Sequence, residues 1–246
     1  MEKDVEAGLS HDSSVHENQD LLERVRRLEK ALYAQPTEKE RLPGLAPAKT
    51  QDPRVANSAT LGLFGFGFTT MLLSFVNAGV VDASTGGVGF IISFMFFYGG
   101  LAQVVAGIMA FIRKDMLGAS AFTSYGTFWM AEGLTQVLVG QSIVTPGKGF
   151  EDSAVVALSV WAVITFAFTL GTLHKPLALQ LVFISLTITF ILLAAGVYTH
   201  VVQQIGGAFG ILTACLALYT GACDLVLDTL NFKMPGMKSY FPSHVE

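Results

Sequence analysis

Hydrophobic positions in this chain are gathered into long runs, and the polar positions lie between those runs. Residues 116–142 contain one acid, Glu132, and the other runs contain no Asp, Glu, Lys or Arg at 55–81, 83–112, 153–173, 176–199 and 201–223. A helix needs about 20 apolar residues to cross the hydrocarbon core of a bilayer. The pattern therefore predicts six membrane-spanning helices, at residues 57–80, 88–112, 117–141, 153–172, 177–198 and 203–223.

The composition agrees with a membrane protein. Of the 246 residues, 52% are hydrophobic and 14% are charged, whereas a soluble domain carries about 25% charged residues. The formal net charge of −4 gives no reason to expect nucleic acid as a partner. The predicted fold class is an all-α, multi-pass membrane protein that has the lipid bilayer as its surroundings.

Lys and Arg are distributed unevenly across the predicted membrane. The segment before the first span, the second and fourth loops and the C-terminal tail hold all but one of the 15 Lys and Arg residues. The first, third and fifth loops hold only Lys148. Because basic loops stay on the cytoplasmic side, both termini are predicted to be cytoplasmic, and a plasma membrane is favoured over an organelle.

The N-terminal segment divides into three parts by composition. Residues 1–17 are polar and are predicted to be disordered. Within 18–34, four apolar residues repeat at heptad spacing: Leu21, Val25, Leu28 and Leu32. This pattern fits either a short coiled coil between copies of the chain or an amphipathic helix. Four prolines mark 35–56 as a linker to a transmembrane domain at 57–223, which a cytoplasmic tail follows at 224–246.

The predicted spans contain no recognisable catalytic or metal-binding set of residues. The five His residues lie outside the spans or at their ends, no span holds a pair of acids, and the Gly-rich stretches lack the Lys of a phosphate-binding loop. The sequence therefore predicts that the protein is not an enzyme and that it uses no cofactor or metal.

Uncharged polar side chains within the spans are the remaining candidates for a function. In lipid such groups face another helix or a polar pathway. At 100° per residue, Phe66, Thr70 and Asn77 share one face of the first span. Burying the amides of Gln103 and Gln180 is costly, and either a pathway or hydrogen bonds between helices would account for them. Ser and Thr side chains also bond to their own helix, which gives each of them a structural alternative.

Glu132 is the one acid predicted to lie within a span. It shares a helix face with Tyr125 and Gln136, and it lies about 10 Å beyond Tyr125 toward the outside. An acid within the membrane is a candidate for proton transfer. The alternative is a hydrated carboxylate at the outer interface.

Four blocks of sequence resemble the acetate uptake transporters, also called succinate–acetate permeases. The first, 57-NSATLGL-63, keeps all but the two prolines of the family signature Asn-Pro-Ala-Pro-Leu-Gly-Leu. The others are 97-FYGGLAQVVAG-107, 118-GASAFTSYGTFW-129 and 170-LGTLHKPLALQLVFISLT-187. The resemblance extends from Asn57 to Gly236, which is essentially the whole membrane part.

The resemblance implies a six-helix fold in hexamers, with a separate path through each protomer. It implies transport of small carboxylates, acetate above all and sometimes succinate, usually together with protons. The hydrophobic constriction of the family corresponds to Phe66, Tyr125 and Leu186. The remaining path residues implied by the resemblance are Leu61, Thr70, Asn77, Gln103, Ser124 and Gln180.

One departure from the family concerns its acids. The family commonly has a Glu in the second span where this chain has Ala110, and it is usually uncharged at the position of Glu132. We hypothesise that the proton site has moved to Glu132.

A hydrophobic constriction favours an uncharged substrate, since a bare carboxylate is costly to desolvate. The predicted function is transport of acetate and other small carboxylates, with a proton or as the neutral acid. Two alternatives remain open from the sequence. One is a passive channel for small neutral solutes such as urea or short amides, and the other is a membrane receptor or scaffold that transports nothing.

Overall fold

The structure is a computed structural model that describes residues 19–30 and 56–239. The two described segments fall in separate compact units. In the first unit, residues 19–30 form helix α1, which lies within the predicted amphipathic segment. Its apolar residues are at least half exposed, and its ion pairs join residues four apart, Asp20 with Arg24 and Glu23 with Arg27. The predictions for 1–17, for the linker up to residue 55 and for 240–246 concern residues outside the described part.

The second unit is built from helices, and no strand occurs in the part of it that is described. Helix α2 spans Ala59–Asn77, and α3 (Val88–Phe96) continues through a π-helical stretch at Phe97–Ala102 into α4 (Gln103–Ile112). A further short π-helix covers Ala83–Gly87. The remaining helices are α5 (Met116–Gly140), α6 (Lys148–Gly171), α7 (Leu177–Gly196) and α8 (His200–Leu230).

Five of these elements are long and apolar enough to cross a membrane. They are Ala59–Asn77, Val88–Ile112, Lys148–Gly171, Leu177–Gly196 and His200–Leu230, and they coincide with five of the six predicted spans. The remaining predicted span, the third in chain order at 117–141, corresponds to helix α5, whose 25 residues are about 37 Å long at 1.5 Å per residue. Its length is therefore sufficient, but its Gly, Ser, Thr and Gln residues and Glu132 make it less apolar than the others. Helix α8 continues to Leu230, beyond the predicted end of the last span at 223.

Small residues set how closely the helices pack. A Cβ atom added to Gly107 on α4 would lie 2.5 Å from Thr123 Cγ2 on α5, and one added to Gly126 on α5 would lie 2.8 Å from the backbone nitrogen of Val104. On α8, Gly207 meets the end of α2, and Gly210 meets Ser74. These close approaches show that glycine lets the helix backbones come together at these points.

The largest buried cluster of hydrophobic residues is rich in aromatic rings and centres on Tyr125. Its ring lies 5.5 Å from that of Phe66 on α2, 5.5 Å from that of Trp161 on α6 and 6.4 Å from that of Phe183 on α7, measured between ring centroids. Four helices therefore meet around this one side chain, and the cavity described next lies against it.

Candidate functional site

A cavity of about 60 Å³ lies among the helices of the second unit. A space that holds one water needs roughly 10–15 Å³ by the same measure, so this cavity has room for a molecule of a few heavy atoms. One part of its lining is apolar, and the other part contains charged residues. The apolar lining consists of Ala59, Leu63, Phe66, Leu117, Gly118, Ala121, Phe122, Tyr125, Leu179, Val182, Phe183 and Leu186.

The three residues predicted to form a constriction lie together in this lining. Phe66, Tyr125 and Leu186 come from α2, α5 and α7, and they are 5%, 3% and 3% exposed. All three belong to the same buried cluster. The structure thus brings them together around one space, and their action as a constriction is taken up below as a proposal.

The hydroxyl of Tyr125 is hydrogen-bonded to the hydroxyl of Thr165 on α6, at 2.8 Å. Thr165 is fully buried, and it is not among the residues predicted from the sequence. The visible signal was weak: one of three Thr residues in the fourth span, with Val, Ile, Phe and Ala as its immediate neighbours. Which tyrosine it would meet depends on the rotation of α6 about its axis, which the sequence does not state. The pair fixes the phenol between α5 and α6.

Gln103 is the polar residue in the buried part of the cavity wall. Its side chain is fully buried, and neither its amide nitrogen nor its amide oxygen has a hydrogen-bond partner. It is the first residue after the π-helical stretch, and Gly65 on α2 packs against that stretch, because a Cβ there would lie 2.5 Å from the carbonyl oxygen of Tyr98. An unpaired buried polar group costs about 1–3 kcal/mol. The amide can donate one hydrogen bond to a carboxyl group in the cavity and accept another from it.

Further unpaired polar atoms lie near this part of the helix packing. The hydroxyls of Thr69 and Thr70 on α2 are buried without a partner, and so is the indole nitrogen of Trp129. A Cβ on Gly99 would lie 2.7 Å from the hydroxyl oxygen of Thr69, so the π-helical stretch packs directly on that residue. Thr70, a predicted path residue, is buried but does not line the cavity.

The charged part of the lining consists of Asp115, Lys175 and Asp224. Asp115 precedes the first turn of α5, and its Oδ1 lies 3.6 Å from Nζ of Lys175 in the turn between α6 and α7. Their side chains are 39% and 44% exposed, so water reaches this pair. Tyr125 lies ten residues after Asp115, about 15 Å along α5. The cavity therefore joins an ion pair at the surface to an apolar space in the interior.

The other predicted path residues lie outside this lining. Leu61 is 39% exposed, and Asn77 and Ser124 are partly buried. Gln180 is buried and has a structural role, because its amide nitrogen donates to the carbonyl oxygens of Leu173 and Lys175, at 3.1 and 2.9 Å. The turn that carries Lys175 is held in place by these bonds.

Glu132 does not line the cavity either. It is partly buried, and it accepts a hydrogen bond of 2.7 Å from the amide nitrogen of Gln136, one helical turn away. Ala110, where the family commonly has an acid, is 2% exposed on α4. Among the described residues, no group of three or more His, Cys, Asp or Glu residues is arranged to hold a metal ion.

A second ionic cluster lies near the start of α6. Lys148 pairs with Asp152 at 3.4 Å, and Asp152 accepts a short hydrogen bond from the hydroxyl of Tyr198 in the turn between α7 and α8. This hydrogen bond is the main reason that the pKa of Tyr198 is raised to about 12. None of the three lines the cavity, which makes this cluster a natural control for the Asp115–Lys175 pair.

Comparisons with known proteins agree with this geometry. The succinate-acetate/proton symporter SatP of Escherichia coli K12 is 37% identical over 173 residues, which are 68% of this chain and 86% of that protein. The ammonia transport outward protein 2 of Saccharomyces cerevisiae is 33% identical over 198 residues, 78% of this chain and 68% of that protein. The structure of the bacterial acetate channel SatP matches with a TM-score of 0.67 and 31% identity, over 76% of this chain and 98% of that chain.

These named relatives are transporters or channels and not enzymes. Five helices of this chain are long and apolar enough to span a membrane, as a transporter requires. The model of the GPR1/FUN34/yaaH family matches residues 39–238, which include the cavity and all of its lining residues. The chain is a member of the GPR1/FUN34/yaaH family.

Proposed function

We propose that this protein carries acetate and other small carboxylates across a membrane, together with a proton or as the neutral acid. The observation that carries the proposal is the cavity that places Phe66, Tyr125 and Leu186 beside the unpaired amide of Gln103. The similarity to the succinate-acetate/proton symporter SatP and to the structure of the acetate channel SatP supports the choice of substrate.

The apolar lining determines which form of the substrate passes. Moving an unpaired carboxylate into an apolar medium costs tens of kcal/mol in the simplest treatment and still several after relaxation. A carboxylic acid has a pKa near 4.3, so protonating it at pH 7 costs about 4 kcal/mol. Because protonation is cheaper than desolvating the charge, the neutral acid is the form that crosses the space between Phe66 and Leu186.

The polar groups have separate roles in this proposal. The amide of Gln103 donates to the carbonyl oxygen of the acid and accepts from its hydroxyl. The phenol of Tyr125 is held by Thr165 and contributes mainly its ring, with a hydroxyl oxygen that still has capacity for another hydrogen bond. Phe66 and Leu186 exclude water and set the width of the path.

The membrane arrangement is also part of the proposal. Helix α5 crosses the membrane as well and brings the number of spans to six, because it carries Tyr125 into the buried cluster and is long enough to cross. The excess of Lys and Arg places both termini, and with them Asp115 and Lys175, on the cytoplasmic side of a plasma membrane. The family resemblance supports a hexamer with one path in each protomer. For residues 18–34 the two alternatives stand, a short coiled coil between copies of the chain or an amphipathic helix.

A channel for small neutral solutes is the second candidate. The cavity lining is mostly apolar, its buried polar group is a neutral amide, and one relative is named for ammonia transport. A neutral solute such as urea or a short amide would satisfy the amide of Gln103 as well as acetic acid would. Competition separates the two candidates, since only a carboxylate path is blocked by a second carboxylate and is insensitive to excess urea.

Uptake of labelled acetate into liposomes that contain only this protein tests the proposal. We expect protein-dependent uptake that increases with an inwardly directed proton gradient and is inhibited by unlabelled acetate but not by urea. Protein-free liposomes give the background from direct diffusion of acetic acid. Uptake equal to that background would refute the proposal.

A further inference from the structure

The charged part of the cavity contains an ion pair that a substrate carboxylate could replace. Lys175 Nζ and Asp115 Oδ1 are 3.6 Å apart, and both side chains are partly exposed and line the cavity. The side chain of Asp115 ends in the same charged group as acetate, a carboxylate. An acetate ion that enters from this side therefore meets a cation that an internal carboxylate already holds.

The backbone on both sides of the pair is fixed. The amide nitrogen of Lys175 donates to Thr172 O at 2.7 Å, and the carbonyl of Lys175 accepts from the Gln180 side chain. The amide nitrogen of Asp115 donates to Ala110 O at 3.0 Å. Because both backbones are held, breaking the pair requires only side-chain rotation, and the two turns can remain in place.

A second observation points to a ligand in the same cavity. The buried amide of Gln103 lines it and has no hydrogen-bond partner. The cavity thus offers a neutral acid a hydrogen-bonding group inside and offers an anion a cation at its mouth. Between these two points the substrate must gain or lose a proton, and Asp115 is the acid in the lining that pairs directly with that cation.

We infer that Lys175 and Asp115 form a carboxylate–proton exchange site for a small monocarboxylate at the mouth of the cavity. Lys175 binds the substrate carboxylate, and Asp115 takes the substrate's proton. This inference rests on the proposed function and specifies where the neutral acid and the anion interconvert.

The exchange balances in protons and charge. Neutral acid arriving from the interior transfers its carboxyl proton to the Asp115 carboxylate, giving the substrate anion and a neutral Asp115. The ammonium of Lys175 keeps its protons and moves from Asp115 to the substrate anion. Loss of the proton from Asp115 to water restores its charge, and Asp115 then displaces the anion from Lys175. Every step is reversible, so the same groups serve uptake and release.

Other charged groups surround the pair. Asp224 on α8 lines the same cavity. Arg113 and Lys114 directly precede Asp115, His174 directly precedes Lys175, and the carbonyl of Lys238 accepts from the backbone nitrogen of Leu177. Because these groups remain in every variant below, differences between variants report on the pair itself.

The test measures the half-saturating acetate concentration separately on each face, with protein of known orientation in liposomes. For Lys175→Gln we expect that concentration to rise about two- to fivefold on the face that carries Asp115, the effect of one partly exposed charge pair, and to stay unchanged on the other face. Asp115→Asn imitates the protonated acid. In this variant we expect the half-saturating acetate concentration to fall on the same face and to lose its dependence on pH. The double variant should behave like Lys175→Gln.

Lys148→Gln is the matched control, because Lys148 also pairs with an Asp and lies outside the cavity. It should leave the half-saturating concentration unchanged on the face that carries Asp115. The inference would be overturned if Lys175→Gln had equal effects on both faces or no effect on either. It would also be overturned if the double variant recovered wild-type values, because the pair would then be purely structural. Absence of wild-type acetate flux would instead refute the proposed function, so the two failures are distinguishable.

Discussion

At its interior end the cavity is lined by Phe66, Tyr125 and Leu186, which are at most 5% exposed, whereas at its mouth Asp115 and Lys175 are 39% and 44% exposed. The interior end holds a neutral amide without a partner, and the mouth holds the Asp115–Lys175 ion pair together with Asp224. An uncharged acid is stable at the first and an anion at the second. Under the proposed function, the protonation state of the substrate therefore changes within this one small cavity, and each prediction below probes one end against the other.

The largest effect is expected from external pH. If the interior end limits transport, uptake follows the concentration of neutral acid, which falls by about two orders of magnitude between pH 5 and pH 7.5 at constant total acetate. If the charged mouth limits transport, uptake follows total acetate and changes little. We expect the first result from initial rates in liposomes with a fixed internal pH. Equal rates at both pH values would show that the charged mouth limits transport and would refute passage of the neutral acid.

Replacing Gln103 by Leu should give the next largest effect. The variant removes one or two hydrogen bonds to the substrate at the interior end, so acetate uptake should fall about tenfold. Because the amide has no partner, its removal should also raise thermal stability, by an amount on the order of 1 kcal/mol. Lower uptake combined with higher stability separates a substrate ligand from a structural residue.

Gln180→Leu is the control for that experiment. Gln180 is also buried, but its amide holds the carbonyls of Leu173 and Lys175, so the same substitution should lower thermal stability by about 1 kcal/mol. If both variants lose stability, the Gln103 amide has a structural partner, and its assignment as a substrate ligand is wrong.

Leu186→Ala should have a smaller effect on acetate and a clear effect on selectivity. The shorter side chain widens the interior end, so the ratio of succinate to acetate uptake should rise a few-fold, while stability falls by about 2–5 kcal/mol. Leu181→Ala on the same helix is the control, because Leu181 is 38% exposed and does not line the cavity. An unchanged ratio in Leu186→Ala would show that this residue does not set the width of the path.

The residues of the interior end could be named before the structure was known and those of the mouth could not, for a physical reason. The family resemblance points to Phe66, Tyr125 and Leu186, and the structure places all three in one lining. The Asp115–Lys175 pair joins two short turns that are 60 residues apart in the chain. The sequence of one turn does not indicate that the other lies beside it, so the ion pair can be recognised only once the packing of α5 and α7 is known.

Two details of the interior end could also not be predicted from the sequence. The partner of Tyr125 is Thr165, and choosing it required the rotation of α6. The π-helical stretch at Phe97–Ala102 changes the helical register just before Gln103, and a pattern read at 3.6 residues per turn contains no such step. The predicted path residues Leu61, Asn77 and Ser124 lie outside the cavity lining, and their place on a path stays a prediction.

The smallest effect is expected from Glu132→Gln, and it decides between two proton sites. Glu132 lies 17 residues from Asp115 on α5, about 25 Å away, and it is bonded to Gln136 outside the cavity lining. If the proton is exchanged at the mouth, acetate-driven proton influx per acetate should remain at the wild-type ratio in Glu132→Gln. The half-saturating acetate concentration should keep its pH dependence in Glu132→Gln and lose it in Asp115→Asn. Parallel recordings of internal pH and labelled acetate in the same liposomes give that ratio. Loss of coupling in Glu132→Gln alone would restore the hypothesis of a moved acid and assign proton transfer to the end of α5 opposite Asp115.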